Sequence, residues 1–184
     1  MYKLKNTNKS FGVIAIAIHW IVALAVFGLF GLGLYMVELT YYDTWYKGSL
    51  DLHKSIGLTL LLLLIFRLVW RVLNVQPISE STVNWQKLSV SAVHFLLHLL
   101  PFALLLSGYL ISTADERPIE VFGLLSVPAL PPLIDNQEDI AGLVHETLAW
   151  GLIVLAGLHA LAALKHHFID KDQTLNRMLG RNKN

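Results

Sequence analysis

Four runs of apolar residues divide the chain: Phe11 to Val37, Leu52 to Leu73, Leu88 to Ser112 and Ile140 to Leu164, the last continuing as a helix to His167. Each is close to the ~20 residues that cross a hydrocarbon layer about 30 Å thick. Leu, Ile, Val and Ala fill them on every face, which is the pattern of a helix surrounded by lipid and not of one with a single apolar stripe. Inside a bilayer only a helix satisfies the backbone amides of an isolated span, so the runs predict an all-α, integral-membrane four-helix bundle forming one domain over residues 1–184. The first run is longer than the ~7–15 apolar residues of a signal peptide and lacks a small-residue cleavage site, so it is expected to be a retained helix.

The segments between the runs assign an orientation. Lys3, Lys5 and Lys9 precede the first run, Arg67, Arg71 and Lys87 bound the link between the second and third, and Lys165, Lys171, Arg177, Arg181 and Lys183 follow the fourth. By the positive-inside rule these segments and both termini are cytoplasmic. The other two loops hold Glu38, Asp43, Asp51, Asp115, Glu116, Glu120, Asp135, Glu138 and Asp139 against Lys47, Lys54 and Arg117, and are expected on the opposite side. The longer of them, Thr113 to Asp139, contains Pro118, Pro128, Pro131 and Pro132, which predicts an irregular cap with at most a short helix.

Composition narrows the chemistry. Hydrophobic residues make up 55% of the chain and charged ones 15%, which excludes an ordinary soluble domain. With no cysteine, the chain has no disulfide framework, cysteine-ligated cluster, zinc-thiolate site or covalent c-type haem. A metal would sit on His, Met or carboxylate. Neither Asn74 to Gln86 nor the tail after Phe168 contains a phosphate-binding loop.

Histidine carries the strongest signal, because an ionisable residue inside a membrane helix is costly and marks function by default. His19 lies in the first run, His53 opens the second, His94 and His98 lie early in the third, and His145 and His159 share the fourth. The last two are fourteen residues apart, which returns them to nearly one helix face about 21 Å apart along the axis. Depth pairs His53 with His145 near the outer side and His19 with His159 near the inner side. Facing imidazoles are a common axial arrangement for haem iron, and two such ligands favour electron transfer over substrate binding at the metal. A single intramembrane His is equally well explained as a helix-helix hydrogen-bonding residue, but four resolving into two layers are harder to explain that way. His94 and His98 stand one turn apart and could bind a metal on one helix face, although polar packing or contact with a haem propionate accounts for them better.

Ile18-His19-Trp20, His53-Lys54-Ser55-Ile56-Gly57 followed by Arg67 and Arg71, Ser107-Gly108-Tyr109, and His145-Glu146-Thr147-Leu148-Ala149 through His159 to Ala163-Leu164-Lys165-His166-His167 with Asp172 and Arg177-Met178-Leu179 resemble the prokaryotic cytochrome b561 family over essentially the whole chain. Pro101 departs from the family, whose members more usually place a proline just before the Ser-Gly element. The resemblance implies a bacterial inner-membrane electron carrier with two haem b groups: His19 and His159 on the inner iron, His53 and His145 on the outer iron. It implies exchange with the quinone pool, ubiquinone or another quinone, and in one type the oxidation of superoxide outside. By the same resemblance His166 is a candidate quinone contact, against a reading in which Lys165, His166 and His167 form a polar helix end.

Arg67 and Arg71, one turn apart, suit the carboxylates of the inner haem, with Arg67 the better placed, and Lys54 suits the outer haem; the competing role of these charges is to fix orientation. The acidic outer loops argue against capture of an anion unless Lys47, Lys54 and Arg117 converge, and make a cationic redox protein or another periplasmic reductant an alternative donor. Two further readings stay open. One is a cytochrome b anchor subunit of a larger oxidoreductase such as a hydrogenase or formate dehydrogenase, and the other is a haem-free membrane scaffold.

Overall fold

A computed structural model describes residues 3–78 and 84–181, with side chains in the third helix from residue 88 onward, so Lys87 and Lys183 lie outside the described side chains. Four helices are long and apolar enough to cross a membrane: α1 (Val13–Val37), α2 (Tyr46–Leu73), α3 (Asn84–Ser112) and α4 (Gln137–Phe168). At about 1.5 Å per residue, even the 25 residues of α1 exceed the ~30 Å of a hydrocarbon layer. A fifth helix, α5 (Thr174–Met178), is a single turn.

The helices run past the apolar patterns where their ends have polar partners. Residues before Leu52 join α2 because the turn leading into it is closed locally: the Asp43 carboxylate accepts from the Thr40 amide and hydroxyl, both at 2.7 Å. These bonds hold the Asp43 carboxyl below the usual carboxylate range, the Thr40 backbone amide contributing most. The ends of α4 match the helix dipole, with Glu138 and Asp139 in the first turn and Lys165, His166 and His167 in the last. Pro101 lies inside α3 without ending it.

The loop from Thr113 to Asp139 corrects one expectation. In place of an irregular cap with at most a short helix, residues after Thr113 form an antiparallel hairpin, β1 (Ile119–Val121) with β2 (Leu125–Val127), registered Ile119 to Val127 and Val121 to Leu125. Ile119, Val121 and Val127 are β-branched and fit a pleated surface. The turn places Phe122 at φ 51° and Gly123 at φ 67°, a region that suits glycine and strains an aromatic residue. The hairpin is anchored by a buried hydroxyl: Ser55 of α2 accepts from the Phe122 amide at 2.9 Å and donates to the Glu120 carbonyl at 3.4 Å. Prolines at 128, 131 and 132 prevent a third strand.

Residue contacts divide the chain into two compact units. One comprises Met1–Ala23, Leu63–His98 and Val154–Asn184, and the other Leu24–Leu62 and Leu99–Ile153. In the first, Ile18, Val22 and Leu64 are buried. Its extramembrane segments are tied down by Trp20 Nε1 donating to the Met178 carbonyl at 2.9 Å and by Asn6 Nδ2 donating to the Val75 carbonyl at 3.0 Å. Gly12 is required there, since a Cβ would overlap the Leu4 carbonyl. In the second unit Leu60, Ile119, Ala141 and Leu152 are buried beside Ser49, Ser55, Ser107, Thr113 and Gln137. Large apolar side chains such as Leu24, Leu62, Val72 and Leu158 stay exposed on the helices, as expected when lipid and not water surrounds them. The all-α reading with four membrane-length helices therefore holds, with the short hairpin as its one addition among the described residues.

Candidate functional site

The sequence places His53 in α2 and His145 in α4, and the second unit brings their rings together: the centres are 6.2 Å apart and the planes cross at 66°. The His145 ring is fixed from α3. Ser107 Oγ donates to the Leu104 carbonyl at 2.8 Å, which commits its proton, and His145 Nδ1 lies 3.0 Å from that carbonyl and 3.1 Å from Oγ. Both neighbours can only accept, so Nδ1 carries the hydrogen and Nε2 keeps its lone pair. Two glycines give the imidazoles room. A Cβ on Gly108 would stand 3.0 Å from His145 Cε1, and one on Gly33 would stand 3.6 Å from His53 Cε1. His53 Nδ1 is buried without a hydrogen-bond partner, an unsatisfied polar atom at the pair itself.

In the first unit His19 of α1 and His159 of α4 face each other with ring centres 6.5 Å apart, also at 66°. A third imidazole, His94 of α3, stands 5.3 Å from the His159 ring, and His98 Nδ1 donates to the His94 carbonyl at 2.6 Å. Arg67 donates through Nη2 to His19 Nδ1 at 3.3 Å. Arginine is only a donor, so Nδ1 accepts and the hydrogen of this ring sits on Nε2.

The two separations leave room for a metal ion between the rings. An imidazole-metal bond is about 2 Å and the ring centre lies about 1 Å beyond the nitrogen, so two opposed rings are about 6 Å apart. Among the described residues no group of three His, Cys, Asp or Glu side chains is arranged to hold a metal ion. A bare ion with its usual four or more ligands is therefore poorly served, whereas a haem, which brings four nitrogens of its own, needs only the two imidazoles each pair offers.

Other residues singled out by the sequence are distributed around these pairs. Arg67 is half-buried against His19, and Arg71 is exposed one turn on in the same unit. Lys54 follows His53, half-buried and without an ion pair among the described residues. His166 is engaged by carboxylates, with Nδ1 2.7 Å from Asp170 and 3.4 Å from Asp172, and Lys165 also pairs with Asp170 at 2.7 Å. Lys165, and after it His166, hold the Asp170 carboxyl below the usual carboxylate range. Of the cations Lys47, Lys54 and Arg117, Arg117 is occupied by Asp115, Nε to Oδ2 at 2.6 Å. The crevice between the start of α2 and the hairpin, about 360 Å³, is lined by Gly48, Asp51, Leu52, Ser55, Glu120, Phe122 and Gly123.

The supporting roles of Leu104, Ser107 and Gly108 at His145, and the approach of His94 to His159, were not assigned from sequence. The Ser-Gly pair was visible as a motif, but its ring partner lies 38 residues away. For His94, the one-turn spacing pointed to His98, whose Nδ1 does bond its carbonyl, and nothing local signals the approach to His159.

Comparison with known proteins follows the same lines. A family model described as prokaryotic cytochrome b561 matches residues 10–181. The chain is 50% identical over 177 residues to cytochrome b561 homolog 2 of Escherichia coli (strain K12), covering 96% of this chain and 94% of the relative. It is 29% identical over 178 residues to the probable superoxide oxidase CybB of Yersinia pestis, covering 94% and 97%. With cytochrome b561 homolog 1 of Escherichia coli (strain K12) it shares 31% over 134 residues, 72% of this chain and 76% of the relative. A match across almost the full length, on four membrane-length helices that carry two facing imidazole pairs, means that the chain belongs to the prokaryotic cytochrome b561 family of haem b membrane proteins of electron transport.

Proposed function

We propose that the chain holds two haem b groups, one between His53 and His145 and one between His19 and His159, and carries single electrons between a donor outside the bacterial inner membrane and the quinone pool. The observation behind this reading is that each of the two separate units closes one imidazole pair at 6.2 or 6.5 Å. Haem iron between two imidazoles gains or loses one electron without opening a position for substrate.

The residues of the chain do the positioning. Leu104 and Ser107 hold His145 with Nε2 free. His19 takes a metal at Nε2 once its hydrogen moves to Nδ1, which releases the Arg67 guanidinium for a carboxylate, its stronger partner. Arg67 and Arg71 would bind the propionates of the haem in their unit, and Lys54 those of the other. His166, held by Asp170 and Asp172, would contact quinone and pass it a proton. The distribution of Lys and Arg supports both termini and the α2-α3 link on the cytoplasmic side.

For the donor, the Yersinia pestis relative is a probable superoxide oxidase, but the crevice beside α2 carries Asp51 and Glu120. Two carboxylates repel an anion, so a neutral or cationic reductant suits this protein better than superoxide. The test is a haem count with optical and EPR spectra of the purified protein. Two low-spin haems per chain are expected, with one left in His53→Ala or His159→Ala; a single haem in the parent, or an unchanged count in either variant, would overturn the reading. Purification with a stoichiometric larger subunit would favour the anchor role.

A further inference from the structure

Three segments of the first unit are hydrogen-bonded into one basic platform at the N-terminal end of α1. We infer that this platform binds the anionic headgroups of phospholipids, with Lys3, Lys5 and Lys9 as the contacts and Leu4 as an apolar anchor between them. Binding of this kind requires neither haem nor quinone.

A basic segment ahead of a membrane helix is ordinarily a solvated tail that fixes orientation. Here it is folded. The Lys3 carbonyl accepts from the Val13 amide at 3.1 Å and Asn6 Oδ1 accepts from the Gly12 amide at 2.9 Å, so residues 3–12 turn back and cap the start of α1. Thr7 Oγ1 closes the turn by accepting from the Ser10 amide at 3.1 Å. Two bonds fasten this loop to the segment after α2: Asn6 Nδ2 donates to the Val75 carbonyl and the Ile78 amide donates to the Asn8 carbonyl, both at 3.0 Å. Arg177 Nη1 donates to the Ile78 carbonyl at 3.0 Å and brings in α5. Holding Lys3 against the first residue of α1 puts the loop where the chain enters the bilayer.

The charge of this platform is not neutralised from within. No Asp or Glu precedes Glu38 in the chain, and the acidic side chains described in this unit, Asp170 and Asp172, are engaged by Lys165 and His166. Lys3, Lys5 and Lys9 are exposed and have no ion pair among the described residues. Apolar surface accompanies them: Leu4, between Lys3 and Lys5, is 65% exposed, and Ile78, on the segment bonded to the loop, is 69% exposed. Cations around exposed apolar side chains suit the boundary between headgroups and acyl chains, where the apolar group enters and each ammonium stays with a phosphate. Free phosphate offers nothing to Leu4 and Ile78, so lipid is the occupant that both features favour. Each lysine held near an anionic surface strengthens attraction about fivefold, and the three together about a hundredfold at low salt.

The experiment is native mass spectrometry of the full chain, purified in a non-ionic detergent and titrated with phosphatidylglycerol or with phosphatidylcholine. Phosphatidylglycerol should bind in preference, and the preference should fall as salt is raised. It should fall by about tenfold or more in the variant carrying Lys3→Gln, Lys5→Gln and Lys9→Gln, and by about fivefold in Lys5→Gln alone. Lys47→Gln, which removes one charge from a different loop, should leave it in place. Leu4→Ser should weaken both lipids without changing the preference between them. Circular dichroism checks that the variants fold; if the triple variant does not, Lys5→Gln and the salt titration of the parent decide. Equal binding of the two lipids would overturn the proposal, as would equal losses from Lys5→Gln and Lys47→Gln, which would reduce the effect to net charge. Displacement of the lipid by inorganic phosphate at the same concentration would also overturn it, by assigning the platform to a free anion.

Discussion

Gly108→Ala is a small change with a defined expected cost. A Cβ at this position would lie 3.0 Å from His145 Cε1 and 3.2 Å from Nδ1, inside the ~3.5–4.0 Å optimum for non-bonded atoms. The ring must retreat by about half an ångström, and the bonds at 3.0 Å to Leu104 and 3.1 Å to Ser107 open with it. Losing one neutral hydrogen bond costs about 0.5–1.5 kcal/mol. With 1.4 kcal/mol per factor of ten, a haem held at His53–His145 as proposed should be released up to about tenfold more readily, and one held at His19–His159 should be unaffected. Transfer of haem to an excess of apomyoglobin, followed optically, measures this as one accelerated phase of two. Gly142→Ala in α4 is the control, because a Cβ there meets nothing within 4 Å, and replacing a mid-helix glycine by alanine should if anything stabilise the protein by about 0.5–1 kcal/mol. Equal haem loss from the Gly108 and Gly142 variants would refute the reasoning that Gly108 exists to seat the imidazole.

Ser55→Ala should free the hairpin without loss of haem: the Phe122 amide, now at 2.9 Å from the serine oxygen, would lose its acceptor at a cost of about 1–3 kcal/mol. Limited proteolysis between residues 117 and 128 should accelerate, and unchanged cleavage would count against the anchor. Asp170, whose carboxyl is held below its ordinary value of 3.8 chiefly by Lys165, stabilises the end of α4 above that ordinary value and loses this contribution as pH falls through its lowered one. The melting-temperature difference between the parent and Asp170→Asn should therefore shrink from about pH 5 to about pH 3; a constant difference would sink the assignment.

The parts of this structure that could be read in the sequence are those governed by one-dimensional periodicity. Lipid demands long apolar helices, so the four spans were visible as runs, and the fourteen-residue spacing of His145 and His159 on α4 depends on helix geometry alone. The pairing with His53 and His19 followed from depth, which the runs also supply. The hairpin escaped because its strands have three residues each and what stabilises them is Ser55, on another element. The supports of His145 escaped for the same reason: nothing local to Leu104 or Ser107 announces a partner on α4. The start of α2 at Tyr46, ahead of its apolar run, reflects the polar turn around Asp43, which hydropathy cannot register.

The bond between Ser55 and Phe122 joins residues 67 positions apart in the chain. Contacts of such separation form late, after the intervening chain has been ordered. During biogenesis α2 and α3 must both be inserted before the hairpin can close on Ser55, so it works as a latch set at the end of assembly. Since Ser55 lies two residues past His53, closure of that latch also fixes the depth of α2 at His53.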